Sequence, residues 1–277
     1  MIKISRQQCR LAAAALCLMF GASAFADEST PMQASPSPPP GYLKPSELPD
    51  SIALLPRPPE LGSPSEALDQ QTASAMLMLQ NTPRFALAAL DADLSFPAAA
   101  GTFSCALGAP ITAQDTPTLY RLLIRVMADA GAATGAAKDK YQHARPFMLD
   151  GEPTCRPSDD ARLRTNGSYP SGHTSIGWAW AQVLAEIAPD RAEAVLERGR
   201  AFGESRLVCN VHWASDVLEG RIVGAATAAR EHASPEFRAD VEAAKRELDA
   251  ARAKNLAPQR DCKAEAEALS QTPWLTP

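Results

Sequence analysis

Four serine- or threonine-proline pairs, Ser63-Pro64, Thr82-Pro83, Thr116-Pro117 and Ser234-Pro235, each open a run whose apolar residues recur at helical spacing. A hydroxyl at the N-cap accepts from a free amide of the first turn, and proline suits the first helical position because its missing N–H would have no partner there. Ser63-Pro64-Ser65-Glu66 also has the form of a capping box, and Leu68, Thr72, Ala75, Met76 and Leu79 follow it along one face. Asp190-Arg191-Ala192-Glu193 has the form of a further box. Alternating runs of β-branched and aromatic residues, which a half-buried strand needs, are nearly absent. This punctuation predicts an all-α fold of roughly eight to ten helices. They are expected near 64–80, 83–92, 117–142, 171–187, 190–208, 212–231 and 235–254. Met76, Met78, Trp178 and Trp180 read as core or helix-packing residues. With 277 residues, 45% of them hydrophobic, the chain can bury one substantial core.

The first residues read differently. Lys3, Arg6 and Arg10 precede the apolar stretch Leu11 to Phe20, and Ala24-Phe25-Ala26 supplies a small-residue cleavage pattern. Residues 1–26 are therefore expected to be a signal peptide cut after Ala26, sending the chain to the periplasm or beyond. The apolar run is only about half of the roughly 20 residues a membrane-spanning helix needs, and no later stretch is long and apolar enough to span. Cleavage removes three basic residues and no acidic one, leaving 24 basic against 32 acidic. That balance argues against nucleic acid or an anionic membrane as a partner, so positive charge has to be sought locally, in a site.

Residues 27–62 form a proline-rich arm, with Ser37-Pro38-Pro39-Pro40 and Pro56-Arg57-Pro58-Pro59. Proline donates no backbone hydrogen bond, so the arm is expected to be extended, either as a tether or as a segment wrapped on the body or on a second subunit. Residues 63–277 are expected to be one helical domain. Four cysteines follow the cleavage point, Cys105, Cys155, Cys209 and Cys262. An even number in an exported chain, without Cys-x-x-Cys spacing, favours disulfides over a metal site and leaves three pairings open.

Chemistry gathers in three places. Lys138 and Arg145 lie seven apart near the end of a helical stretch that Pro146 should stop, so the two cations can converge on a loop. In NGSYPSGHTS, Ser171, Gly172 and His173 stand at the mouth of a helix. Free amides and the positive end of the helix dipole make an anion site there. Gly172 leaves the backbone open to an anion, Ser171 adds a hydroxyl, and His173 projects beside whatever is held. In GESRLVCNVHWASD, Arg206 precedes His212 by six and Asp216 by ten. If that segment is helical, Asp216 lies on the imidazole's face, accepts from one ring nitrogen and leaves the other free, the orienting arrangement of a nucleophilic histidine. His143 lies inside the first cluster, within reach of a substrate, with a plain surface role the favoured reading; His232 is expected at the surface.

Lys138-x6-Arg145-Pro146, Pro170-Ser171-Gly172-His173 and Ser205-Arg206-x5-His212-x3-Asp216, in that order, resemble the three-part signature of the type-2 phosphatidic acid phosphatase and vanadium haloperoxidase superfamily. The flanks GSYPSGHT and GESRLVCNVHWASDVLEGR are similar to the secreted class A bacterial non-specific acid phosphatases. The resemblance implies a single helical domain of that type, acting on small-molecule phosphomonoesters with neither metal nor cofactor, and homodimers are common in the family. It implies that Lys138, Arg145, Ser171, Gly172 and Arg206 hold the phosphate oxygens. His212 then attacks phosphorus, His173 protonates the leaving alkoxide, Asp216 orients His212, and water hydrolyses the phosphohistidine. Activity should peak at mildly acidic pH. Cys155 and Cys209 both flank motif blocks, which favours Cys155–Cys209 and leaves Cys105–Cys262.

Two other functions use some of the same residues. A vanadate-dependent haloperoxidase would bind vanadate where phosphate binds, but the class A flanks and the modest chain length disfavour it. A non-catalytic periplasmic phosphate-binding protein would need the cations and the helix mouth, but not two histidines and an orienting aspartate.

Overall fold

The structure is a computed structural model that describes residues 39–271. The expected signal peptide and the first part of the arm lie outside the described residues. Among those residues there is no strand, and thirteen α-helical segments alternate with short 3-10 turns. The longer ones are α2 (Pro64–Leu77), α3 (Pro83–Asp91), α5 (Pro117–Ala132), α9 (Gly172–Ile187), α10 (Ala192–Val208), α11 (Ala214–Glu231), α12 (Pro235–Ala253) and α13 (Cys262–Leu269). The shorter ones are α1 (Ser51–Leu54), α4 (Ser104–Leu107), α6 (Gly135–Tyr141), α7 (Pro146–Asp150) and α8 (Asp160–Leu163). No described helix is long and apolar enough to cross a membrane.

The capping signals act as chemistry requires in most places. Ser63, Thr82 and Ser234 Oγ atoms accept from the amides of Glu66, Phe85 and Phe237. Four expectations are corrected. The stretch 117–142 is two helices, because the chain breaks at Ala133 and Thr134, where Thr134 Oγ1 donates to Gly131 O and offers the backbone an alternative to the helix. Pro146 starts α7 and does not end a helix; α6 ends at Gln142, whose φ of 43° is left-handed. Asp190 does not cap α10, which is entered from a 3-10 turn, and its carboxylate faces Arg252 instead. Met78 is exposed, whereas Met76 and Trp180 are buried as read.

α9 is the central helix, packed by α5, α10 and α11, and α12 covers α5. Trp180 sits in the main core with Phe103, Leu123, Phe202 and Phe237, and its indole N–H donates to Leu123 O at 2.8 Å. α11 crosses the start of α9 with backbone close to backbone, since a Cβ at Gly220 would lie 2.6 Å from Ser171 O. Replacing an exposed mid-helix glycine by alanine usually stabilises by about 1 kcal/mol. Gly220→Ala should instead destabilise by about 1–3 kcal/mol, because two helices must separate to admit the methyl group. Gly135→Ala, with nothing within 4 Å of its Cβ position, is the control. Thermal unfolding should show the two changes with opposite sign.

Residues 39–62 wrap the helical body. Arg125 donates to Pro40 O and Gly41 O, and Asp129 accepts from the amides of Tyr42 and Leu43. Farther along, Ser51 Oγ takes the Ala137 amide and Pro56 O takes the Tyr169 hydroxyl. Disulfides join Cys105 to Cys262 and Cys155 to Cys209, across 157 and 54 residues. In the chain-entropy picture, closing loops of those lengths stabilises by about 5 and about 4 kcal/mol.

Candidate active site

α11 begins at Ala214, so His212 precedes the helix and does not ride on it. The expected i,i+4 pair on a helix face is instead an N-terminal cap. Trp213 is the N-cap, and Asp216, in the first turn, accepts the Trp213 amide on Oδ2 at 2.9 Å. The same oxygen lies 3.1 Å from His212 Nδ1. Burial opposes the ionisation of Asp216, yet the hydrogen bonds of His143 and His212 outweigh it and hold the carboxyl far below its ordinary range. An ionised carboxylate can only accept, so His212 carries its hydrogen on Nδ1 and keeps a lone pair on Nε2. Arg145 Nη1 sits 3.0 Å from that Nε2 and donates to it, which fixes the same tautomer from the other side.

Arg145 is itself held by the chain around it. Its Nε donates to Leu163 O and Asn166 O, Nη1 to Val211 O, and Nη2 to Gly167 O and the Asn166 side chain. Lys138 Nζ donates to Gly167 O at 2.7 Å and Ser168 O at 3.2 Å. Arg206 is buried, and its Nε has no hydrogen-bond partner among the described residues. Burial lowers all three cations, Lys138 to about 7, Arg145 to about 10 and Arg206 to about 9, and repulsion from Arg145 adds to the shift of both Lys138 and Arg206. Buried cations that repel one another in this way are relieved by an incoming oxyanion.

The start of α9 faces the same cluster. Ser171 is its N-cap, and its Oγ accepts from the Thr174 amide and hydroxyl, which leaves the Ser171 hydrogen to donate. A Cβ at Gly172 would lie 3.8 Å from Lys138 Cε, so the lysine stem runs past the bare helix mouth. Ser171 N donates to Asp216 O at 2.9 Å and ties α9 to α11. His173 Nε2 is 3.1 Å from Ala92 O, a contact that puts a hydrogen on Nε2 and leaves Nδ1 as the nitrogen that gains or loses a proton. Burial first, then Arg206, holds His173 well below the ordinary histidine range, and His212 adds to the effect. Burial and Arg145 do the same to His212.

Lys138, Arg145, Ser171, Gly172, His173, Arg206, His212 and Asp216 are thus brought together. Sequence reading missed the carbonyls of Ala92, Leu163 and Val211, which carry no residue-type signal, and it missed the contact of His143 with Asp216. His143 is turned inward, with Nδ1 3.0 Å from Ser168 Oγ and 3.4 Å from Asp216 Oδ1. His232 pairs with Glu186 at the surface.

Fold and site together define a helical protein that gathers three buried cations at a helix mouth around an imidazole oriented by a carboxylate. Residues 119–239 match the PAP2 superfamily. A non-specific acid phosphatase of Providencia stuartii is 47% identical over 208 residues, 75% of this chain and 84% of that protein. One of Salmonella typhimurium is 41% identical, with coverages of 75% and 84%. An acid phosphatase of Zymomonas mobilis is 40% identical, covering 73% and 77%. The chain belongs to the PAP2 superfamily, among its bacterial non-specific acid phosphatases.

Proposed function

We propose that this chain is an exported acid phosphatase that hydrolyses a broad range of phosphomonoesters through a phosphohistidine on His212, with phosphotransfer to alcohols as a side reaction. The observation that carries the reading is the His212 ring, with Nδ1 on a buried carboxylate and Nε2 against the Arg145 guanidinium. Export rests on the leader-like residues 1–26. Breadth of substrate rests on the identifiable residues addressing the phosphate and its bridging oxygen and none the organic part of the leaving group.

Lys138, Arg145, Arg206, Ser171 and the first amides of α9 hold the phosphate oxygens. As the Arg145 Nη1–H turns from His212 Nε2 to a phosphate oxygen, the freed Nε2 lone pair forms the P–N bond while the P–O bond to the leaving group breaks, and His173 gives that oxygen a proton. Water then attacks phosphorus, its proton passes to His173, the P–N bond breaks and inorganic phosphate leaves. The charge developing on the equatorial oxygens is met by cations and dipoles already in position, the largest contribution in comparable sites. Among the described residues no three His, Cys, Asp or Glu side chains gather as a metal site.

The pH dependence follows from the shifts. His212 must be neutral to attack, and its lowered value keeps it neutral in acid where an ordinary imidazole would be protonated. His173 must be protonated, and a bound phosphate beside it offsets Arg206 and favours that form. Rising pH removes the His173 proton, so the rate should fall toward alkaline pH. Aryl, sugar and nucleoside monophosphates, assayed with a chelator across acid and alkaline buffers, should all be hydrolysed with an acid optimum and no loss on chelation. A rate that climbs steadily into alkali, or that vanishes with chelator, overturns the reading.

A further inference from the structure

Asp216 is gripped on both oxygens. Oδ2 serves His212 and the Trp213 amide, while Oδ1 lies 3.4 Å from Ser168 Oγ and 3.4 Å from His143 Nδ1. Ser168 Oγ and His143 Nδ1 are in turn 3.0 Å apart. A carboxylate cannot donate, so the arrangement that satisfies all three groups has Nδ1–H of His143 donating to Ser168 or Asp216 and the Ser168 hydroxyl donating to Oδ1. The nitrogen of His143 that gains or loses a proton is then Nε2. The ring is a quarter exposed, unlike that of His212, so water can supply the proton.

Resting on the phosphatase reading above, we propose that His143 is a positioning residue whose charge, passed through Asp216, sets the reactivity of His212 and the acid limb of the pH profile. When His212 attacks phosphorus, its ring becomes positive and Asp216 stabilises that charge. A cationic His143 on the opposite oxygen competes for the same carboxylate, and a neutral one leaves it to His212. Burial and Arg145 keep His212 itself neutral far into acid, and His143 is the histidine of the pair that solvent reaches. Few other groups face the ring. Tyr169 and Trp213 flank it at 6.4 Å each, with the Tyr169 phenol held un-ionised by burial. Asp69 of α2 also feels its charge, but the Asp69 oxygens are taken by the amide and hydroxyl of Ser215. Lys138 and Arg145 lie beyond Asp216, in the phosphate cluster.

The test compares profiles of kcat against pH, each normalised to its own maximum, for wild type, His143→Asn and His143→Lys. Asparagine keeps a donor near the Nδ1 position but takes no second proton, so its acid limb should move to lower pH. At the acid end its normalised kcat should exceed wild type by about tenfold, the effect of one pKa unit at His212. Lysine, a fixed cation, should lower the absolute maximum of kcat by about tenfold, read before normalisation, and flatten the limb. If the Asn and wild-type profiles superimpose in an active, folded variant, His143 only packs and the inference fails. Absence of hydrolysis in the wild type defeats the phosphatase reading instead, so the two failures are told apart.

Discussion

His212→Ala is expected to lower the turnover of any phosphomonoester by about 10^5-fold to 10^6-fold, the scale on which removal of a nucleophile acts in other covalent hydrolases. The substitution takes away the one nitrogen placed to attack and little else. Asp216 keeps the Trp213 amide, Ser168 and His143, and Arg145 keeps its carbonyl partners. The phosphate cluster therefore survives, and calorimetric binding of inorganic phosphate should stay within about tenfold of wild type, or about 1.4 kcal/mol. Rapid quenching into alkali should trap acid-labile phosphate on the wild-type chain and none on the variant. Substantial turnover in a folded variant would place the nucleophile elsewhere, and lost phosphate binding would mean that the ring is part of the anion site.

Long helices were legible because their starts are written in side chains. Thr82 and Ser234 cap where their hydroxyls stand before proline, and the core face of α9 follows from its apolar run. The breaks were less so. Nothing in the apolar pattern of 117–142 announces the turn at Thr134, since Gly131 and Gly135 weaken a helix without stopping it. At the site, the charged residues stood out because a negatively charged chain placed three cations in blocks around two histidines. What held them did not. Arg145 is fixed by carbonyls from residues 163 to 167 and 211, and His143 meets Asp216 across 73 residues of sequence. Contacts of that kind depend on where α9 and α11 cross, which local periodicity does not encode.

Arg145→Ala is expected to fail on two scales at once. In the fold, the side chain is 1% exposed and satisfies Leu163 O, Asn166 O, Gly167 O, Val211 O and the Asn166 amide oxygen. Removing it strands these acceptors and opens a polar cavity between two loops, a loss of about 3–5 kcal/mol by analogy with other broken buried charge networks. In the site, a donor to the phosphate disappears, which should lower kcat/KM by about 10^3-fold or more. Arg145→Lys restores charge without the planar fork, and an ammonium cannot reach residues 163 to 167, Val211 and His212 together. It should recover less than about a tenth of the lost rate. Guanidinium ion added to the alanine variant separates the two effects, because it can refill the cavity and restore the donors. Partial rescue of kcat/KM there, with none in the lysine variant, is the expected result. An alanine variant within tenfold of wild type would show that Lys138, Arg206 and the helix mouth neutralise the phosphate unaided, leaving Arg145 as a brace between two loops.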